Sequence, residues 1–124
     1  MADKLTSRQH AQLAVLQTLA GKISQIHRLI EELAGPRPDE TSSRRLVRLL
    51  DEAKGATSAV SLSALTQTLG MMGMMARRTG GQQMKIRGLR EGLGSLRVNF
   101  EGAEREARKV EAEAPVEPGT AKPV

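Results

Sequence analysis

Apolar residues recur at alternating spacings of three and four along three segments of the chain, a pattern typical of helices that pack through a heptad seam. The first segment starts at a Thr-x-x-Gln capping box, Thr6 to Gln9, and stops at Gly35 and Pro36, residues that commonly end helices. The pattern therefore predicts a helix over about residues 7–34. Its seam consists of Leu16, Leu19, Ile23, Ile26, Ile30 and Leu33.

The middle segment carries two apolar seams that are out of phase with each other. The first seam consists of Leu46, Leu49, Ala53, Ala56 and Val60. The second consists of Leu62, Leu65, Leu69, Met72 and Ala76. Since the apolar face must rotate between Gly55 and Ser61, the pattern predicts either one long helix with a break or two abutting helices over about residues 41–77.

The third segment follows a turn predicted at Thr79, Gly80 and Gly81. Its apolar positions keep one heptad phase longer than any others in the chain, and they predict a helix over about residues 82–113. Three prolines within residues 114–124 predict a disordered C-terminal tail. The seam of the third helix consists of Ile86, Leu89, Leu93, Leu96, Phe100, Ala103, Ala107 and Val110.

The fold class indicated is all-α: three long helices, the middle one continuous or broken, forming a bundle or a helical hairpin with coiled-coil-like seams. Residues 7–113 form one predicted domain, preceded by a flexible N-terminus at residues 1–6. A chain this small buries limited apolar surface by itself, so we expect self-association or docking onto a larger helical partner. The predicted packing residues on the seams are Leu16, Ile23, Ile30, Leu89, Leu93, Leu96 and Phe100.

A strip of small residues adjoins the seam of the third helix. Each glycine inside a helix costs about 1 kcal/mol relative to alanine, so a strip of them indicates close approach of another backbone. One interpretation is that the helix is contacted on two sides, by its own bundle and by a neighbouring element or copy. The other is that the glycines mark fraying and that the regular helix begins only after Gly94. The strip consists of Gly88, Gly92, Ser95, Asn99 and Gly102.

Charge is unevenly distributed along the chain of 124 residues, which has 19 basic and 14 acidic residues and a formal net charge of +5. One basic cluster falls between residues 77 and 97 and is opposed there only by Glu91. Such clusters neutralise phosphates or acidic surfaces, or they simply keep a helical face solvated. The cluster consists of Arg77, Arg78, Lys85, Arg87, Arg90 and Arg97. A second basic cluster consists of Arg44, Arg45 and Arg48.

Several chemistries are excluded by composition. The chain has no Cys, Trp or Tyr and one Phe, so thiol chemistry, thiolate metal sites and aromatic platforms for bases are absent. The spacing of His10 and His27 does not fit a helical pair of metal ligands, and no nucleophile accompanies a general base. We therefore expect no enzyme activity, no cofactor and no metal.

Four methionines surround Gly73, and they either fill a helix end or form an adaptable binding surface. They are Met71, Met72, Met74 and Met75.

The sequence favours a non-enzymatic structural or adaptor subunit that acts by helix–helix packing, as in virions, secretion apparatus or scaffolds. The expected partner is a second copy or a larger helical assembly. The alternative is a basic subunit that contacts nucleic acid phosphates, or an acidic protein surface, without reading sequence. A third alternative is membrane insertion through the uncharged residues 55–76, although its many hydroxyl groups disfavour a span. The N-terminus does not resemble a signal peptide, so we expect a location in the cytoplasm or within a virion or other assembly.

Overall fold

The computed structural model describes residues 5–37, 39–78 and 81–110. These residues form four α-helices without any strand. The predicted all-α fold is confirmed, but the bundle has four helices rather than three. The helices are α1 (Ser7–Leu33), α2 (Glu40–Ala59), α3 (Ser63–Arg77) and α4 (Gln82–Ala107).

The helices form an up-and-down ring in which each one contacts the two beside it. Helix α1 packs against α2 and α4, and α3 packs against the same two helices from the other side. Side-chain contacts show that α1 and α2 run antiparallel. The Ser42 hydroxyl donates a hydrogen bond to Glu32 at one end of the pair, and the Lys22 ammonium donates one to Glu52 farther along. This arrangement is a four-helix bundle, so the alternative of an open helical hairpin was wrong.

The core contains the predicted seams except at two positions of α2, where the buried residue is the next one along the chain. The seams of α1 and α3 are buried as predicted. On α2, however, Leu50 and Thr57 are fully buried, whereas Leu49 and Ala56 lie at the edge of the core. Thr57 tolerates burial because its hydroxyl bonds to the Ala53 carbonyl oxygen at 3.0 Å and to the Thr66 hydroxyl of α3 at 2.8 Å.

The break between α2 and α3 is a helix C-terminal turn of the Schellman type. The backbone N–H of Leu62 donates to the Thr57 carbonyl at 2.9 Å, and that of Ser61 donates to the Ser58 carbonyl at 3.1 Å. Ser61 occupies the left-handed position of this turn with φ 62°. Leu62 then enters the core and starts α3. Of the two alternatives for the middle segment, the structure therefore has two helices.

Helix α4 is shorter than predicted. It ends at Ala107, and Val110, the last residue of the predicted seam, lies beyond the helix. The N–H of Lys109 turns back to the Glu106 carbonyl, while the Lys109 carbonyl accepts a hydrogen bond from the buried side chain of Gln9 on α1.

The two predicted flexible ends fall largely outside the described residues. The predicted tail, residues 114–124, lies outside them completely, as do residues 1–4 of the N-terminus. Thr6, by contrast, forms the predicted capping box: its hydroxyl accepts from the N–H of Gln9, and the Gln9 side chain accepts from the N–H of Thr6.

Residues 55–76, the segment considered for membrane insertion, do not form one helix, because the turn at Ser61 divides them between α2 and α3. Among the helices that the structure describes, none combines the length and the apolar character needed to cross a bilayer.

Glycines let α3 and α4 approach each other closely. A Cβ atom at Gly92 would lie 2.7 Å from Cγ of Met72, which is buried, and one at Gly88 would lie 2.5 Å from Sδ of Met75. Gly94 is exposed, and a Cβ there would meet no atom of the described chain within 4 Å. Helix α4 runs without interruption through all three positions, so the interpretation of the glycines as fraying was wrong.

Replacement of Gly92 and Gly94 by alanine should therefore have opposite effects. Gly94→Ala should raise the free energy of unfolding by about 0.5–1 kcal/mol through helix propensity alone. Gly92→Ala should lower it by about 1 kcal/mol, because overpacking against Met72 exceeds the same gain in propensity. Urea denaturation followed by circular dichroism measures both values. If Gly92→Ala stabilises the protein as much as Gly94→Ala does, the close approach of the two helices is incorrect.

Candidate partner-binding surface

The residues predicted to form a packing interface on the seams lie inside this chain's own bundle. Phe100 is half-buried at the edge of the core. The others are buried. They pack against other helices of the same chain, so they form the core rather than a surface for a partner. The buried residues are Leu16, Ile23, Ile30, Leu89, Leu93 and Leu96.

The small-residue strip of α4 faces α3 of the same chain. Gly88 and Gly92 receive the side chains of Met75 and Met72, and the Asn99 amide donates to the Thr68 hydroxyl at 2.9 Å. Two other members of the strip differ: Ser95 is exposed, and a Cβ added at Gly102 would meet no atom of the described chain within 4 Å. The close contact expected of the strip is therefore made by its own bundle, and its first two glycines need no second copy to cover them.

Among the described residues, the large apolar side chains that are exposed lie in one half of the bundle. Among the described residues, the exposed large apolar side chains are Met71 (62%) and Met74 (68%) on α3, and Met84 (78%) and Val98 (68%) on α4. None of them lies on α1 or α2. Single exposed apolar residues are ordinary on a protein surface, but four of them on two adjacent helices make this half of the bundle the candidate for a binding face.

Two of these four residues, Met71 and Met84, border the junction of α3 and α4 together with Met75. At about 100° per residue, Met71 and Met75 lie on the α4 side of α3, whereas Met74 lies toward α2. Val98 lies four helical turns from Met84, between Arg97, which contacts α1, and Asn99, which contacts α3, so it faces away from this junction. The methionine surface is defined here as Met71, Met75 and Met84.

A shallow groove of about 430 Å³ runs along one end of the methionine surface. Met75, Met84 and the backbone of Gly88 form its apolar part. Neither Met84 nor Val98 was among the residues singled out from the sequence. The signal that identifies them is their position opposite the α4 seam, where a helix facing solvent usually carries polar side chains. The charged residues that border the groove are Arg78, Lys85, Arg87 and Glu91.

The basic cluster of residues 77–97 is divided among different faces, and part of it is paired within the chain. The Arg90 guanidinium donates two hydrogen bonds to the Glu31 carboxylate of α1 in a bidentate pair, with N–O distances of 2.7 and 2.9 Å. Arg77 forms a salt bridge with Asp51 of α2. The sequence cluster is therefore not one continuous patch, because a helical wheel of α4 alone does not show the acidic residues on α1 and α2.

Arg97 belongs to the paired part of the cluster as well. Its guanidinium lies 3.3 Å from Nδ1 of the exposed His27 on α1. His10 lies more than four turns away on the same helix, as the sequence spacing requires. Within the described residues, no group of three His, Asp or Glu side chains is arranged to hold a metal ion.

Folding brings parts of the two basic clusters together at one end of the bundle. A groove of about 570 Å³, the basic groove, lies where α2 passes the end of α3 and the start of α4. Acidic Glu40, Asp51 and Glu52 share this groove. Arg45 lies instead beside Glu32 and Glu52 between α1 and α2. The basic residues that line the basic groove are Arg44, Arg48, Arg77, Arg78 and Lys85.

Three cations of the basic groove have no carboxylate within 4 Å among the described residues: Arg48, Arg78 and Lys85. The Lys85 ammonium donates to the Arg78 carbonyl at 2.8 Å, which holds it at the start of α4. Arg78 and Lys85 also border the methionine surface, so an apolar face and a cationic groove meet at these two residues.

The Arg90–Glu31 pair should make the stability of the fold depend on pH. Hydrogen bonding from Arg90 lowers the pKa of the Glu31 carboxyl, so the pair stabilises the fold above the ordinary Glu pKa, and this contribution is lost as pH falls through the lowered pKa. In Arg90→Gln the pKa of Glu31 should return toward its ordinary value, as measured by carboxyl-carbon NMR titration. Glu106 is an internal control, since Lys109 lowers its pKa independently. An unchanged Glu31 titration in the variant would show that the pair does not form.

Comparison with known proteins adds no assignment to these surfaces. No family model matches the chain, and no curated protein or solved structure matches it either. The methionine surface and the adjoining basic groove are the two features of the bundle surface that bear on function.

Proposed function

We propose that this protein is a non-enzymatic adaptor or structural subunit that binds a helical partner through its methionine surface. The observation that carries the proposal is the confinement of exposed large apolar side chains, among the described residues, to α3 and α4. Burial of such side chains stabilises a complex, and methionine adapts its shape to a partner more readily than branched residues do.

The bundle does not depend on a partner for its core. All four helices bury their seams against one another, so the surface left for binding is separate from the residues that hold the fold. This separation suits an adaptor, which must be folded before it meets its partner. It also differs from an arrangement in which the seams close only between chains.

The test is co-purification of the tagged protein from its native host, with the mass of each complex measured by light scattering. A Met71→Ser, Met84→Ser double variant should lose the partner, because each substitution removes an apolar side chain whose full burial contributes about 1.5–3 kcal/mol. Met74→Ser is the matched control, since the same substitution falls on the α2 side of α3. Equal retention of the partner by the double variant and the control would contradict the proposal.

A second candidate function is contact with nucleic acid phosphates through the basic groove. The specific observation in its favour is the convergence of Arg44 and Arg48 with three basic residues that are distant in sequence, Arg77, Arg78 and Lys85. The three acidic residues in the same groove oppose such binding, so this candidate ranks below the adaptor.

Salt dependence tests the second candidate. If the groove contacts phosphates, affinity for a DNA duplex should fall steeply with salt, and replacing Arg48, Arg78 and Lys85 by Gln should reduce the logarithmic slope by about 2 to 3. The control variant removes three positive charges at the opposite end of the bundle: Arg8→Gln, Arg105→Gln and Arg108→Gln. Absence of binding at low salt, or equal slopes for the two variants, excludes the groove as a phosphate site.

A further inference from the structure

A second groove with basic walls lies on the other side of α2 from the basic groove. It has a volume of about 290 Å³ and lies between α1 and α2. Arg28 of α1 and Arg45 of α2 line it, and Arg48 lines both this groove and the basic groove. The two grooves therefore form one continuous surface that crosses α2.

Contacts between helices place the cations of this surface at nearly the same level of the bundle. The two side-chain bonds between α1 and α2 set the register of that pair, and Arg28 lies level with residues 45–48. The buried threonine pair sets the register of α2 and α3 and places residues 45–48 level with the end of α3. Arg78 is at that end, and its carbonyl accepts from the Lys85 ammonium of α4 at 2.8 Å. The cationic band is defined here as Arg28, Arg45, Arg48, Arg78 and Lys85.

The carboxylates that share this surface are already bonded within the chain. There are four of them, and each accepts a hydrogen bond or a salt bridge from another side chain, which lessens its repulsion of a phosphate. The five cations of the band, by contrast, have no carboxylate within 4 Å among the described residues. The surface therefore has a local excess of positive charge. The four bonded pairs are Arg44–Glu40, Arg77–Asp51, Lys22–Glu52 and Ser42–Glu32.

The composition of this surface favours a polyanion over an amphipathic partner. None of the exposed large apolar residues of the described chain lines either groove. A membrane surface or a protein interface uses apolar contacts as well as charge. Stacking of unpaired bases needs aromatic side chains, and Phe100, the one aromatic residue of the chain, lies at the edge of the core. A duplex, whose bases stay stacked, is therefore a better match than a single strand.

We infer that the cationic band binds the phosphate backbone of a nucleic-acid duplex that crosses α2 from α1 to the end of α3. Packed helices lie about 8–10 Å apart, so the band extends over about 16–20 Å, the length of about five base pairs. This inference rests on the second candidate function, contact with nucleic acid phosphates. It adds to that function the α1–α2 groove and the course of the duplex over the bundle.

The experiment measures binding of the full chain to fluorescently labelled duplexes of about 20 base pairs, one of DNA and one of RNA with the same sequence. Five phosphate contacts predict a slope of about −4.5 for log affinity against log salt, which is a loss of about 500-fold between about 50 and 200 mM salt. A single DNA strand of the same length should bind more weakly than its duplex.

The decisive variant is Arg28→Gln, Arg45→Gln, because both residues lie outside the basic groove. Its slope should be about −2.7, so that affinity falls only about 40-fold over the same range of salt. The matched control, Arg8→Gln, Arg105→Gln, removes two exposed cations at the opposite end of the bundle and should keep the wild-type slope. The Met71→Ser, Met84→Ser variant should also keep it, since neither methionine belongs to the band.

Three results would overturn the inference. Equal slopes for the wild-type chain and the Arg28, Arg45 variant would restrict phosphate contact to the basic groove, and the second candidate function would stand without the band. Failure of both duplexes to bind at low salt would reject the band and the second candidate function together. A single strand that binds as tightly as the duplexes would reject a duplex as the ligand.

Discussion

The reversal of the chain between α2 and α3 is the constraint on which the rest of the bundle depends. The N–H of Leu62 bonds to the Thr57 carbonyl, and Ser61 takes a left-handed conformation that is unfavourable for residues other than glycine. The turn lets the two out-of-phase seams face one core, whereas a straight helix would direct them to different sides. The buried Thr57–Thr66 hydroxyl pair stabilises the same corner, because it satisfies polar atoms that burial would otherwise leave unpaired.

The contact between α3 and α4 forms part of the core and also sets the position of the methionine surface. Gly88 and Gly92 allow the backbones to approach, and the side chains of Met72 and Met75 fill the space that a Cβ would occupy. Close approach also brings the outer faces of the two helices together, so that Met71 and Met84 border one junction. The glycines therefore matter for binding only indirectly, by setting the distance between the helices that carry the methionine surface.

The packing of the helices, and not the order of residues in the sequence, decides which charged side chains lie close together. Arg77 and Arg90 belong to one basic run in the sequence, yet they pair with acidic residues on two different helices. Arg48, by contrast, is distant from that run in sequence and joins Arg78 and Lys85 in the basic groove. Pairing across helices neutralises some of the cations. The three in the basic groove have no carboxylate partner within 4 Å among the described residues, and two of them, Arg78 and Lys85, also border the methionine surface.

The sequence by itself determined the helical class, the bounds of α1, and the seams of α1, α3 and most of α4, because burial of one face imposes a period that needs no knowledge of neighbours. It did not decide the corner at Ser61, since glycine, the usual residue there, is absent. Burial of Thr57, the α3 contact of the glycine strip, and the choice of which arginines are paired were decided only by tertiary structure. Each depends on a side chain from another helix, and distances between helices are not encoded in the periodicity of either one.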